Sequence, residues 1–112
     1  MIHFAITGGG TEEPIDGVRK ITNMSSGSLA WHCLEAIFLS MKAKNIKDFT
    51  IHYIKAPGAI TKALTSTERS KIKFIEVIDT KDVYDTIDKL TKEEKIDIFI
   101  HVMAISDFSY SY

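Results

Sequence analysis

Apolar positions along this chain follow two different periods. Ile2 to Thr7 is a short apolar run stopped by glycine, the mark of a buried strand. Phe49 to Ile54, Lys73 to Ile78 and Ile96 to Met103 repeat the pattern, with β-branched and aromatic residues concentrated in each. Between them the spacing turns helical. Ser25 or Ser26 is placed to cap a helix reaching about Lys44, with Leu29, Cys33, Ala36, Ile37 and Met41 as its inner stripe. Trp31, Leu34 and Phe38 form a second stripe, which suggests a helix that lies deep or meets a partner. Asn45 ends it. A further helix capped by Asp79 or Thr80 turns Val83, Ile87 and Leu90 inward and Asp82, Asp85 and Asp88 to water. Gly8 to Asn23 has no helical period and reads as a long loop, with turn signals at Pro14 and Asp16-Gly17. Ala56 to Ala59 breaks the second strand, Ile60 to Ser66 fits a short helix or an irregular crossover, and Ala104 to Tyr112 reads as loop.

Strands alternating with helices call for right-handed crossovers. The expected fold is α/β: a Rossmann-like, three-layer, single domain over residues 1–112, with a mostly parallel sheet that is incomplete. Ligands of such sheets bind beyond the carboxyl ends of the strands, where the strand order switches. The glycines after the first strand and Ala104-Ile105-Ser106-Asp107 after the fourth both lie at such ends.

Composition narrows the setting. The 112 residues are 45% hydrophobic and 26% charged, enough for one small core. A net charge of −1 gives no global field for nucleic acid or an anionic membrane. With a single cysteine, Cys33, no intrachain disulfide can form, which suits a reducing cytoplasm. Cys33 itself falls on the inner helix stripe and reads as core. No apolar run approaches the roughly 20 residues that span a bilayer. His3, His32 and His52 have no spacing of a metal site and read as ordinary strand and helix residues.

Candidate chemistry concentrates between Ile6 and Gly27. Strand, triglycine bend, polar loop and Ser-Ser-Gly helix start together make an anion-binding corner, where backbone N–H groups and the helix dipole favour negative oxygens. The glycines do not spell a dinucleotide fingerprint, because a long loop rather than a helix follows them. The second strand ends at Ile54-Lys55, without the acidic residue that would bond a ribose. No Gly-Lys-Ser/Thr phosphate loop occurs.

Gly9 through Arg19 is similar to the Gly-Gly-Thr-x-Glu-Pro-Ile-Asp-x-Val-Arg block of phosphopantothenate–cysteine ligases. Ile21 through Gly27 resembles the family's Ile-(Ser/Thr)-Asn-x-Ser-Ser-Gly block, and Met103 to Phe108 its Ala-Ala-Val-(Ala/Ser)-Asp-(Tyr/Phe) run. The resemblance implies coenzyme A biosynthesis. 4′-Phosphopantothenate would be activated by CTP or ATP with Mg²⁺, and the acyl-nucleotide would then react with cysteine. It also implies roles. Gly8, Gly9, Gly10, Ser25, Ser26 and Gly27 would seat phosphates; His101, Val102, Met103, Ala104 and Asp107 would meet the nucleotide; Asn23 would contact the acyl carbonyl. Each has a plainer alternative: a tight turn, a helix cap, a loop cap or an exposed turn aspartate.

Two departures stand out. The family's Lys-Met-Gly after Ser-Ser-Gly is Ser28-Leu29-Ala30 here, which removes one positive charge near the phosphates. The family's ligase domain also runs well past this length, through a mobile lysine segment and the strands that finish the base pocket and dimer. The expectation is therefore the N-terminal part of a ligase domain, inactive alone, acting as a homodimer or paired with a C-terminal half. The alternatives are a non-catalytic assembly subunit, motivated by the second stripe on the first helix, and an NAD-type oxidoreductase.

Overall fold

The computed structural model describes residues 1–10, 12–14, 20–22, 28–57 and 59–102. In chain order these form β1 (Ile2–Gly8), β2 (Glu12–Pro14), β3 (Lys20–Thr22), α1 (Ser28–Ala43), β4 (Phe49–Lys55), α2 (Ser66–Ser70), β5 (Ile72–Glu76), α3 (Thr80–Glu93) and β6 (Ile98–His101). β5, β4, β1 and β6 make a parallel four-stranded sheet in that order. The chain builds outward from β1 through β4 to β5, then returns to the other flank of β1 with β6. The switch point of this Rossmann-like α/β sheet therefore lies between β1 and β6.

Alternation along the strands sorts the two faces. Phe4, Ile6, Ile51, Tyr53 and Ile72 pack against α1, whose buried residues are Ala30, Trp31, Leu34, Ile37 and Met41. On the other face Ile54, Ala56 and Val77 meet Val83 of α3, with Ile75, Ile87 and Leu90 beside them. Within this sheet β1 and β4 are largely buried, whereas β5 and β6 expose most of their residues, including Phe99 at 41% and Ile98 at 45%.

The apolar stripe of α1 is phased differently from the sequence expectation. Trp31 and Leu34 are its innermost residues, at 2% and 0% exposure, while Leu29 is 62% exposed and Ala36 faces solvent. Apolar residues fill most of the helix circumference, so spacing alone could not choose the face; the sheet selects the side carrying the larger rings. Trp31 and Tyr53 pack with ring centroids 6.1 Å apart. The stripe that motivated an assembly subunit is thus the core itself. Cys33 is half-buried against the core.

Helix ends follow local chemistry. Asn45, at φ 54°, terminates α1 in a Schellman motif: Asn45 N–H donates to Lys42 O and Ile46 N–H to Met41 O. Asp79 caps α3 and forms a capping box with Asp82, so Asp82 serves the cap instead of facing water. Thr65 and Glu68 build the same device for α2, a helix the periodicity did not predict; the segment before it is irregular. Five residues are too few to carry a period, but the Thr-x-x-Glu signature was present. Within the expected 8–23 loop, β2 and β3 pair antiparallel, Glu13 opposite Ile21. Three-residue strands also lack a readable period, and pairing satisfies backbone groups that a bare loop would leave to water. β5 stops at Glu76 and β6 spans only Ile98–His101, so Ile78, at 59% exposure, lies outside the sheet. No helix among the described residues is long and apolar enough to cross a membrane.

Candidate functional site

Two segments meet at the switch point. The triglycine bend leaves β1 at its carboxyl end, and His101-Val102 leaves β6 beside it, with Thr7 opposite His101 in the ladder. Thr7 is fully buried, and its hydroxyl ties the strands: Oγ1 accepts from Val102 N–H at 3.0 Å and lies 2.8 Å from His101 Nδ1. That contact fixes the imidazole's orientation. Phe99 stacks on the same ring, centroids 6.2 Å apart.

Gly8 and Gly9 each have a steric reason. A Cβ on Gly8 would lie 2.7 Å from Ala30 Cβ and 3.1 Å from the Tyr53 ring, so Gly8 lets α1 approach the sheet. Gly9 has φ +89°, and a Cβ there would lie 2.6 Å from Ala56 O. Gly10 N–H donates to Pro57 O at 3.1 Å, and Ala56 N–H donates to Gly8 O at 2.9 Å. The bend is thereby laced to the segment leaving β4, and the Gly10 amide serves the fold. Buried Tyr53 donates its hydroxyl to Ile60 O at 3.0 Å, and burial raises its pKa above the ordinary tyrosine value.

The structure therefore brings together Gly8, Gly9, Gly10, His101 and Val102. Asn23, Ser25, Ser26, Gly27, Met103, Ala104 and Asp107 lie outside the described residues, as do Asp16 and Arg19. β4 ends at Lys55, and Ala56 and Pro57 after it are engaged with the glycine bend; β4 itself ends without an acidic residue, and Glu76, the register partner of Lys55, closes β5 beside it. A separate groove of about 860 Å³ runs along α1 and the 62–68 segment, and includes none of the switch-point residues.

A second polar cluster stands at the opposite end of the sheet, on the α3 face. His3 Nδ1 is 3.3 Å from His52 Nε2, and Glu94 Oε2 is 2.8 Å from His52 Nε2 and 3.6 Å from His3 Nδ1. Lys73 Nζ pairs with Glu94 Oε1 at 3.2 Å. His52 is 1% exposed; burial depresses its pKa, and Lys73 and His3 add to this against the opposing pull of Glu94. For Glu94, desolvation raises the pKa, but the Lys73 hydrogen bond with the charges of His52, Lys73 and His3 outweighs it, leaving a net lowering. Sequence spacing could not reveal this group. Only the parallel register, which sets His52 beside Ala5 and Lys73, gathers it.

No curated protein matches the chain. Among solved structures it is similar to the DNA/pantothenate metabolism flavoprotein from Streptococcus pneumoniae, at 27% identity and a TM-score of 0.73, covering 97% of this chain and 42% of that one. The C-terminal domain of the coenzyme A biosynthesis bifunctional protein CoaBC shares the fold at 24% identity and TM-score 0.73, with 99% and 49% covered. So does a Cab2 variant in complex with phosphopantothenate-cysteine, at 16% identity and TM-score 0.75, with 99% and 47% covered. The chain thus spans less than half the length of each. The profile of the DNA/pantothenate metabolism flavoprotein C-terminal domain family matches residues 2–112. The profile spans nearly the whole chain and takes in the motif blocks: the chain belongs to this family of phosphopantothenate–cysteine ligases.

Proposed function

We propose that this chain carries the N-terminal part of a phosphopantothenate–cysteine ligase active site. The observation that carries the reading is the meeting of the glycine bend with His101-Val102 at the switch point, between the family's motif blocks. The substrate carboxylate attacks the α-phosphate of CTP or ATP, and the bond to the β-phosphate breaks to release pyrophosphate. The cysteine amine then attacks the acyl carbon, loses a proton, and displaces the nucleoside monophosphate.

In this reading Ser25, Ser26 and Gly27 seat phosphate oxygens at the start of α1, where the helix dipole favours negative charge. Asn23 donates its amide to the acyl carbonyl. His101, Val102, Met103 and Ala104 border the base, and Asp107 bonds ribose or base. Gly8, Gly9 and Gly10 hold backbone close to the ligand while serving the packing described above. Mg²⁺ arrives with the triphosphate, whose oxygens supply its ligands.

The site is completed by more protein, as a C-terminal half or within a homodimer. The flank of β6 away from β1 has no strand among the described residues, and Ile98 and Phe99 are exposed there. A single cysteine suits the cytoplasm.

Pyrophosphate release tests the reading, with 4′-phosphopantothenate, cysteine, Mg²⁺ and either CTP or ATP. Turnover is expected when the remaining half is supplied and should fall at least tenfold with Asn23→Ala. Turnover by the reconstituted protein that ignores Asn23 would refute the assigned role. Robust turnover by the 112 residues alone would refute the incomplete site.

A further inference from the structure

We propose that His3, His52 and Glu94 form a binding site for a divalent zinc-like cation at the amino end of the sheet, far from the glycine bend. This cluster is independent of the ligase site. The two imidazole nitrogens and one carboxylate oxygen lie within 4.8 Å of one another. Zn²⁺ binds imidazole nitrogen and carboxylate oxygen at about 2.0–2.2 Å in tetrahedral geometry, which places neighbouring donors about 3.3–3.5 Å apart. The observed separations are 3.3 Å, 3.6 Å and 2.8 Å, so closing on a cation requires only that Glu94 withdraw slightly from His52.

Glu94 supplies the independent observation. Its Oε2 is buried and makes no hydrogen bond, although His52 Nε2 is only 2.8 Å away: the pair is close but not aligned for proton donation. A buried carboxylate oxygen left in this state is costly. A cation between the two atoms would satisfy the oxygen and use the nitrogen's lone pair.

The surroundings suit this use. His52 is fixed within β4 at 1% exposure, so its ring is held in place beside Glu94, and burial disfavours the protonated form, which cannot ligate metal. His3 is pinned from both sides, since its N–H donates to Asp97 Oδ2 and its carbonyl accepts from Asp97 N–H, each at 2.9 Å. Lys73 holds the other oxygen, Oε1, and leaves Oε2 for the ion. His3 and Glu94 side chains are 23% and 29% exposed, so water can reach a fourth position. The set of two histidines and one glutamate favours zinc over magnesium, which prefers oxygen donors. His52 Nδ1 is buried without a partner. Because such outer partners usually add 10–100-fold in affinity, binding should be weaker by about that factor than at a site whose histidines are all supported.

Metal-depleted protein titrated with Zn²⁺ against a chromophoric chelator near neutral pH should take up one equivalent. Glu94→Gln and His3→Asn should each weaken uptake by roughly tenfold or more, with folding checked by circular dichroism. Co²⁺ added to the unaltered protein should give the intense visible bands of a four-coordinate ion. Absence of stoichiometric uptake, a weak six-coordinate cobalt spectrum, or unchanged affinity in both variants would overturn the site.

Discussion

The two ends of the central sheet solve different problems with different materials. At the carboxyl end the work is done by backbone: Gly8 admits α1, Gly9 takes a left-handed turn, and Gly10 is tied to Pro57. At the amino end it is done by titratable side chains, with His3, His52, Lys73 and Glu94 gathered over the α3 face. The first end is fixed by shape and should respond to volume. The second is held by charge and should respond to pH.

Four measurements would break or sharpen that contrast. The largest effect is expected at Trp31, buried at the start of α1 against Tyr53. Trp31→Ala should cost about 3–5 kcal/mol in denaturant unfolding. Leu29→Ala, at an exposed position two residues earlier, should stay within about 0.5 kcal/mol. Equal effects would reverse the corrected phase of the helix. Next, Gly9→Ala should lose about 2–3 kcal/mol at any pH, because both the φ of +89° and the 2.6 Å approach to Ala56 O resist a Cβ. At Asp79, where α3 begins, Asp79→Ala should cost about 1 kcal/mol through the lost cap.

The smallest effect belongs to the amino end and is a slope. His52 has a folded pKa below 6.5, so the unfolded chain binds the proton first, and stability falls as pH drops through and below 6.5. Glu94 is also depressed, from 4.5, so its contribution is present above 4.5 and lost as pH falls through its folded value. Both signs agree: melting temperature should decline on acidification, in two stages. Glu94→Gln should remove the lower stage. A melting temperature flat from neutral pH to pH 4 would show that the cluster carries no linkage.

The same division explains what the sequence could and could not disclose. Strand–helix alternation, the Asp79 cap and the helix stop at Asn45 are local, and each is legible within a few residues. The glycine bend is legible too, because glycine's freedom is written in one residue. The face of α1 was not, since Leu29, Cys33 and Ala36 compete with Trp31 and Leu34 until a sheet is present to choose. Nor was the amino-end cluster: His3 and His52 are 49 positions apart and meet only through strand register. At the candidate site, motif resemblance named residues on both sides of the crevice, while the Thr7–His101 tie that joins β1 to β6 carries no motif.

Placing β1 between β4 and β6 also has a kinetic consequence. Thr7 and His101 are 94 positions apart, so during synthesis one side of the innermost strand must wait for its neighbour. At ribosomal speeds of about 5–20 residues per second, that interval is roughly 5–20 s. For that time an apolar segment has an unfilled row of amides and carbonyls. Nascent chains of this protein should therefore be frequent clients of holdase chaperones.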